Sequence, residues 1–272
     1  DNLPMTALEQ GVDIVVQSTH KTLPSFTQSS MIHIQGERVN QERLTSILRM
    51  IESSSPSYML MSSLELAVDI YETKGKDLMD ELLDNIDIFK KNMEKYKNIN
   101  IYNDDDRTKI FISSKELGMA GYELDEMLRM NYNVQVELSN YYGILLICTI
   151  GNDRGDFKSL EYALADISLN HISNKNIGYI DYPMNIPVKE LSPREAFYNE
   201  KKSVKIYDSI GKICGEYIIP YPPGICLVSP GEIITKEVID YILVCHQKGM
   251  SISGMKDPSL GYIQIIENSY NG

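Results

Sequence analysis

Apolar residues recur along this chain at two spacings, and the switches between them mark its elements. Met5 to Gln10 reads as a helical end stopped by Gly11, and Val12-Asp13-Ile14-Val15-Val16 is apolar enough for a short buried strand. A second strand is expected in residues 29–36, closed by Gly36. Asn40 is placed to cap a helix over 41–52, with Leu44, Ile47, Leu48 and Ile51 on one face. Ser53-Ser54-Ser55-Pro56-Ser57 interrupts it. Helical spacing resumes from Tyr58 to about Lys97, with one stripe at Leu64, Val68 and Tyr71 and another at Leu82, Ile86, Phe89 and Met93.

The period changes near residue 99. Residues 98–102 and 109–113 read as strands around the turn 103–107, residues 120–132 as a helix, 133–139 and 143–151 as strands, and 154–172 as a helix. That order describes a small α/β unit. A polar, Pro-containing connector follows. Ser192, Pro193 and Glu195 form a capping-box pattern at the head of a helix through 192–202. Residues 212–232 hold two apolar strands, with turns at Tyr221-Pro222-Pro223-Gly224 and Pro230-Gly231. An amphipathic helix over 235–249 and a strand over 261–267 close the pattern. Beside these elements, His33 reads as a packed strand histidine, Arg194 and Glu195 as a structural ion pair, and the acidic turn 103–107 as solvated.

Composition narrows the classes of partner. The net charge of −12 counts against nucleic acid and anionic lipid, which call for a basic face. It is compatible with a cationic substrate, and equally with plain solubility. No run approaches the roughly 18–20 apolar residues of a membrane span. The cysteines, Cys148, Cys214, Cys226 and Cys245, form no C-x-x-C pair, and three lie in apolar runs. They read as reduced, buried thiols of a cytoplasmic protein. The histidines are scattered without ligand spacing, so no metal site is expected.

The candidate chemistry lies in Ser18-Thr19-His20-Lys21, which follows the first strand. Strand ends in α/β folds are where ligands bind. A lysine there can act as a nucleophile when its amine is held neutral. Hydroxyls, backbone N–H groups and an imidazole are the groups that hold a phosphate. Local chemistry thus leaves two readings: a Schiff-base lysine of a pyridoxal-phosphate enzyme, or a solvated turn.

Four stretches carry a resemblance that separates them. Residues 12–34 (VDIVVQSTHKTLPSFTQSSMIHI), 53–67 (SSSPSYMLMSSLELA), 191–204 (LSPREAFYNEKKSV) and 215–235 (GEYIIPYPPGICLVSPGEIIT) resemble, in order, segments of the bacterial Orn/Lys/Arg decarboxylase family. The shorter, Gram-positive-type members are the nearest comparison. The resemblance implies an α/β fold of the aspartate-aminotransferase type: residues 1–97 as the later part of a pyridoxal-phosphate-binding large domain, 98–175 as a small α/β domain, and 176–272 as a C-terminal extension. It implies pyridoxal 5'-phosphate in Schiff-base linkage to Lys21, with Ser18 and His20 at its phosphate. It implies that Ser54 or Ser55 reaches the phosphate of a neighbouring subunit in a homodimer or higher oligomer. It places Glu216 near the mouth of the site, facing the substrate's distal cation.

The implied reaction is decarboxylation of a basic amino acid, arginine to agmatine first, with lysine and ornithine as runners-up. The same fold also supports aminotransferases, and a third reading is a non-catalytic dimerisation or regulatory module. The family's ring-nitrogen aspartate, stacking histidine and phosphate loop come from its earlier half, and no D-x-A-H-like stretch occurs in these residues. The expectation is therefore a C-terminal portion of a longer enzyme, inactive alone and prone to associate through uncovered strand edges.

Overall fold

α and β elements alternate through the computed structural model, which describes residues 3–102, 104–173, 175–221 and 224–267. They fall into two units. The first comprises Asp1–Met119, Glu123–Glu137 and Gly143–Asn174, and the second Ala120–Tyr122, Leu138–Tyr142 and Lys175–Gly272.

In the first unit, β1 (Ile14–Gln17) and β2 (Met31–Ile34) form an antiparallel pair with Ile14 opposite Ile34 and Gln17 opposite Met31. The one-turn helix α1 (Thr19–Thr22) lies between them in sequence. The expected burial of this strand is not found: Val16 is 71% exposed. The pair has no third strand among the described residues, so its apolar side chains lack a covering layer. Met5 to Gln10 forms only a turn, closed by Gln10 N–H donating to the Thr6 carbonyl at 3.1 Å.

Helix α2 (Gln41–Ile51) begins where the sequence puts it, with Asn40 Oδ1 accepting from Arg43 N at 2.8 Å. None of its residues is buried. Helix α3 (Tyr58–Met93) starts at Ser57. Its second half carries Leu82, Ile86, Phe89 and Met93 into a core shared with a sheet. That sheet has β4 (Lys109–Ser113) between β3 (Asn100–Tyr102) and, after the helix α4 (Gly121–Tyr132) and the short β5 (Leu138–Ser139), β6 (Gly143–Ile147). Both pairings of β4 are antiparallel, with Ile112 opposite Ile101 and Ile144. Gly143 is required by close approach: a Cβ there would lie 2.2 Å from the Ile112 carbonyl oxygen.

Helix α5 (Arg154–Asn170) opens on a capping box in which Asp153 Oδ1 accepts from Gly155 N and Asp156 Oδ2 accepts from Asp153 N. It packs Phe157 against Phe89, with ring centroids 6.0 Å apart. The strand expected over 133–139 shrinks to Leu138–Ser139. Asn133 takes a left-handed turn (φ 55), and residues 134–137 run on as an irregular segment pinned by Glu137 N–H to the Leu145 carbonyl at 3.0 Å.

In the second unit, Ser192 and Glu195 form the predicted capping box of α6 (Pro193–Tyr198). Glu195 accepts from the Ser192 backbone at 2.8 Å, so its carboxylate serves the helix start rather than an ion pair with Arg194. The helix then stops, and Lys201–Lys205 forms β7 instead of its last turn. Pairing decides this: β7 and β8 (Ile213–Cys214) flank β11 (Tyr262–Ile266), both antiparallel to it. β9 (Ile219–Tyr221) pairs with β10 (Ser251–Ser253), and α7 (Lys236–Gln247) buries Ile239, Ile242 and Cys245. The second apolar strand expected within 212–232 survives only as the Ile218–Val228 bridge. Pro222 and Pro223 of the expected turn lie outside the described residues. No helix among the described residues is long and apolar enough to cross a membrane.

Candidate active site

α1 ends the hairpin's first strand and places His20 and Lys21 on one wall of an open cleft of about 820 Å³ in the first unit. The other walls come from residues 132–137, from β6 and its following loop, and from the first turns of α5. Lys21 Nζ reaches Glu137 Oε1 at 2.5 Å, with side chains 46% and 28% exposed.

His20 is half-buried and its Nδ1 lies 2.8 Å from the Ser29 carbonyl oxygen. A carbonyl only accepts, so Nδ1 carries the hydrogen. The neutral ring then presents Nε2 as an acceptor, and it donates to a phosphate only when the ring is protonated. Ser18 stands at the N-cap position of α1 but its hydroxyl makes no capping bond. Beside it, the hydroxyl of Thr19 is buried without a partner. A buried hydroxyl left unpaired is costly and calls for an acceptor or donor nearby.

Two other groups line the cleft and are chemically quiet. Burial pushes the Cys148 thiol up to about 11, so the thiolate needed for nucleophilic chemistry is not formed at neutral pH. Burial, then the hydrogen bond to Asp166, raises the Tyr132 phenol to about 12. Its hydroxyl donates to Asp166 Oδ2 at 2.5 Å. Lys21 is the cleft's amine.

The remaining sequence candidates lie elsewhere. Ser54 and Ser55 are exposed in the loop between α2 and α3 and do not line this cleft, and Ser55 N–H donates to Ser53 Oγ at 3.1 Å. Glu216 belongs to the second unit, is 8% exposed and is fully engaged: Oε2 accepts from Lys256 N at 2.7 Å and Oε1 from Gln264 N at 2.9 Å. Its geometry is that of an anchor for two backbone segments, and it does not support the expected role opposite a substrate cation. The Pro230-Gly231 motif is also a joint. The Gly231 carbonyl accepts from Glu190 N and Leu191 N, and a Cβ at Gly231 (φ +95) would lie 2.6 Å from the Leu191 oxygen. Two of the motifs that carry the family resemblance thus meet as scaffold. Among the described residues, no group of His, Cys, Asp or Glu gathers as metal ligands.

Comparison with known proteins gives the family. Residues 1–114 match the major domain of Orn/Lys/Arg decarboxylases, and residues 181–268 match their C-terminal domain. The chain belongs to the Orn/Lys/Arg decarboxylase family. Arginine decarboxylase of Bacillus subtilis is 33% identical across 98% of this chain, and that of Halalkalibacterium halodurans 35% identical across 97%. The chain spans 57% and 56% of those relatives, little more than half their length. The lysine decarboxylase of Francisella novicida superposes on 93% of the chain with a TM-score of 0.77 at 22% identity, covering 49% of that protein. The constitutive lysine decarboxylase of Escherichia coli gives 0.76 at 20% identity, again over 93% of this chain and 49% of its own. These structures establish the fold, which the chain shares with them over 93% of its length.

Sequence reasoning missed Glu137. Alternation along 133–139 put it on the polar side of a strand with Gln135. The signal was a single acidic side chain, and nothing in its neighbours pointed to a lysine 116 residues away.

Proposed function

We propose that the whole protein is a pyridoxal-phosphate-dependent decarboxylase of a basic amino acid, with arginine the first substrate and agmatine the product. The observation that carries the reading is Lys21 on the wall of a cleft, directly after a β-strand, in a member of this family. The named activity of the Bacillus and Halalkalibacterium relatives favours arginine over lysine and ornithine.

The residues present fit the cofactor. Lys21 supplies an amine, Ser18 a hydroxyl not committed to capping, Thr19 a buried unpartnered hydroxyl, and His20 an imidazole. When bound, pyridoxal phosphate supplies the electron sink for the pair left on Cα as carbon dioxide departs. Lys21 would hold it through its side-chain amine. Ser18 and His20 would hold the phosphate. Ser54 or Ser55 reaches the corresponding phosphate in a second copy of the protein, so the working form is a homodimer or larger and the enzyme is cytoplasmic. We read residues 1–97 as the later part of the cofactor domain, 98–175 as the small domain and 176–272 as the C-terminal domain. This stretch alone is inactive.

Carbon dioxide release by the whole protein from arginine, lysine and ornithine tests the reading. Arginine is expected to be fastest, and Lys21→Ala to abolish release with folding unchanged. Keto-acid formation without carbon dioxide would assign an aminotransferase instead. Native-rate release by Lys21→Ala would remove Lys21 from the chemistry.

A further inference from the structure

We propose that Glu137 is the dock for the Lys21 amine, the carboxylate that holds it whenever it is not bonded to cofactor. The proposal rests on Lys21 being the cofactor lysine.

The contact is specific. Lys21 Nζ and Glu137 Oε1 are 2.5 Å apart, and the pair lines the cleft wall with both side chains partly shielded from water. Glu137 is held in place by its backbone: its N–H donates to the Leu145 carbonyl on β6, and the left-handed Asn133 sets the path of the segment. The acid therefore comes from a fixed position and meets the lysine at the end of a flexible side chain.

Docking and cofactor capture compete for one nitrogen. A lysine bonds a carbonyl carbon only as the neutral amine. The ammonium must first give its proton to solvent. The amine then adds to the aldehyde carbon and water leaves. An amine held 2.5 Å from a carboxylate oxygen must leave that contact before it reaches the carbonyl carbon. In turnover the proton moves the other way. A substrate arrives as an ammonium and its nitrogen takes over the bond to carbon. The C–N bond to Lys21 breaks, and Lys21 leaves carrying the proton the substrate brought. Charge and electrons balance, and the released ammonium needs a counter-ion. Glu137 is the carboxylate already in reach. It draws the lysine aside and keeps it beside the cleft for its return.

Trace acetylation of the whole protein without cofactor tests the dock, read at Lys21 by peptide mapping against Lys158 as internal reference. Removing the charge with Glu137→Gln is expected to raise Lys21 labelling about two- to fivefold, the range for a partly exposed ion pair. Borohydride trapping of pyridoxal phosphate at Lys21 is expected to rise by a similar factor. Glu137→Asp keeps the charge and is expected to stay within about twofold of the unsubstituted chain, with circular dichroism confirming the fold of both variants. Unchanged acetylation of Lys21 in Glu137→Gln overturns the dock whatever the trapping shows, and leaves the cofactor reading standing. An Asp variant that exposes Lys21 as much as Gln does also overturns it, since packing and not charge would then hold the amine. Raised acetylation with trapping that avoids Lys21 in every variant overturns the cofactor reading, and the dock falls with it.

Discussion

The two halves of α3 carry the same kind of apolar stripe and meet different fates. Of the first-half stripe, Leu64 and Val68 are only partly buried and Tyr71 is half exposed, while Leu82, Ile86 and Phe89 in the second half are buried to 1% or less. Nothing in the helical spacing separates them. The second half has a sheet and α5 against it; the first meets the loop around Phe26, whose N–H donates to Ser63 Oγ at 3.2 Å, and leaves Tyr58, Met59 and Leu66 exposed. An amphipathic pattern states that a face needs covering. What covers it is a property of the whole assembly.

The widest separation between the halves is expected in core truncation. Phe89→Ala should lower unfolding free energy by about 3–5 kcal/mol, because it leaves a cavity beside Phe157. Met59→Ala should change it by no more than about 0.5 kcal/mol. Urea denaturation of the two variants checks this, and equal losses would mean that the first half of α3 is covered in solution.

Glu216→Ala is expected to cost about 1–3 kcal/mol, because the backbone amides of Lys256 and Gln264 lose a buried acceptor. The same denaturation series should show a much smaller change for Lys21→Ala, whose partner is partly solvated. A large loss there and none at Glu216 would reverse the assignment of anchor and site.

Helix caps sharpen the contrast at lower amplitude. Asp153→Ala should cost about 1 kcal/mol, since α5 belongs to the core and its first turn depends on that carboxylate. Asn40→Ala should fray α2 while leaving the global midpoint nearly unmoved, because α2 buries nothing. Hydrogen exchange in the two first turns distinguishes local fraying from global loss.

A separate contrast, confined to alkaline solution, is in pH dependence. Unfolded thiols ionise near pH 9, whereas burial holds Cys148 protonated up to about 11 and Cys214 up to about 12. The unfolded state therefore loses protons first, and stability falls as pH climbs from about 9 towards 11. Replacing both thiols with Ala should flatten that slope. In the native chain a thiol reagent at pH 8 should modify the exposed Cys226 quickly and the buried Cys148, Cys214 and Cys245 only on unfolding.

Part of each unit was legible in the residues. Asn40 and Ser192 each stand where a helix begins, and the β-β-α-β-β-α order of residues 98–172 reads from alternation and turn residues alone. Legibility failed where pairing outweighed local preference. Lys201–Lys205 looks like the polar end of a helix and becomes a strand because β11 offers it a partner. Residues 133–137 alternate like a strand and do not form one, because Asn133 turns the chain. The candidate site divides the same way. Lys21 and His20 were visible in a run of four residues after a strand, and Glu137 was not.

The sequence by itself determined many of the elements, the caps at Asn40 and Ser192, the candidate lysine and the family to which the chain belongs, because these depend on neighbours a few residues apart. Tertiary structure alone decided which apolar stripe is buried, that Glu216 is an anchor, and that the Lys21 amine meets Glu137. Each of those depends on contacts between residues far apart in the chain, and only the folded backbone brings such residues within reach of a hydrogen bond.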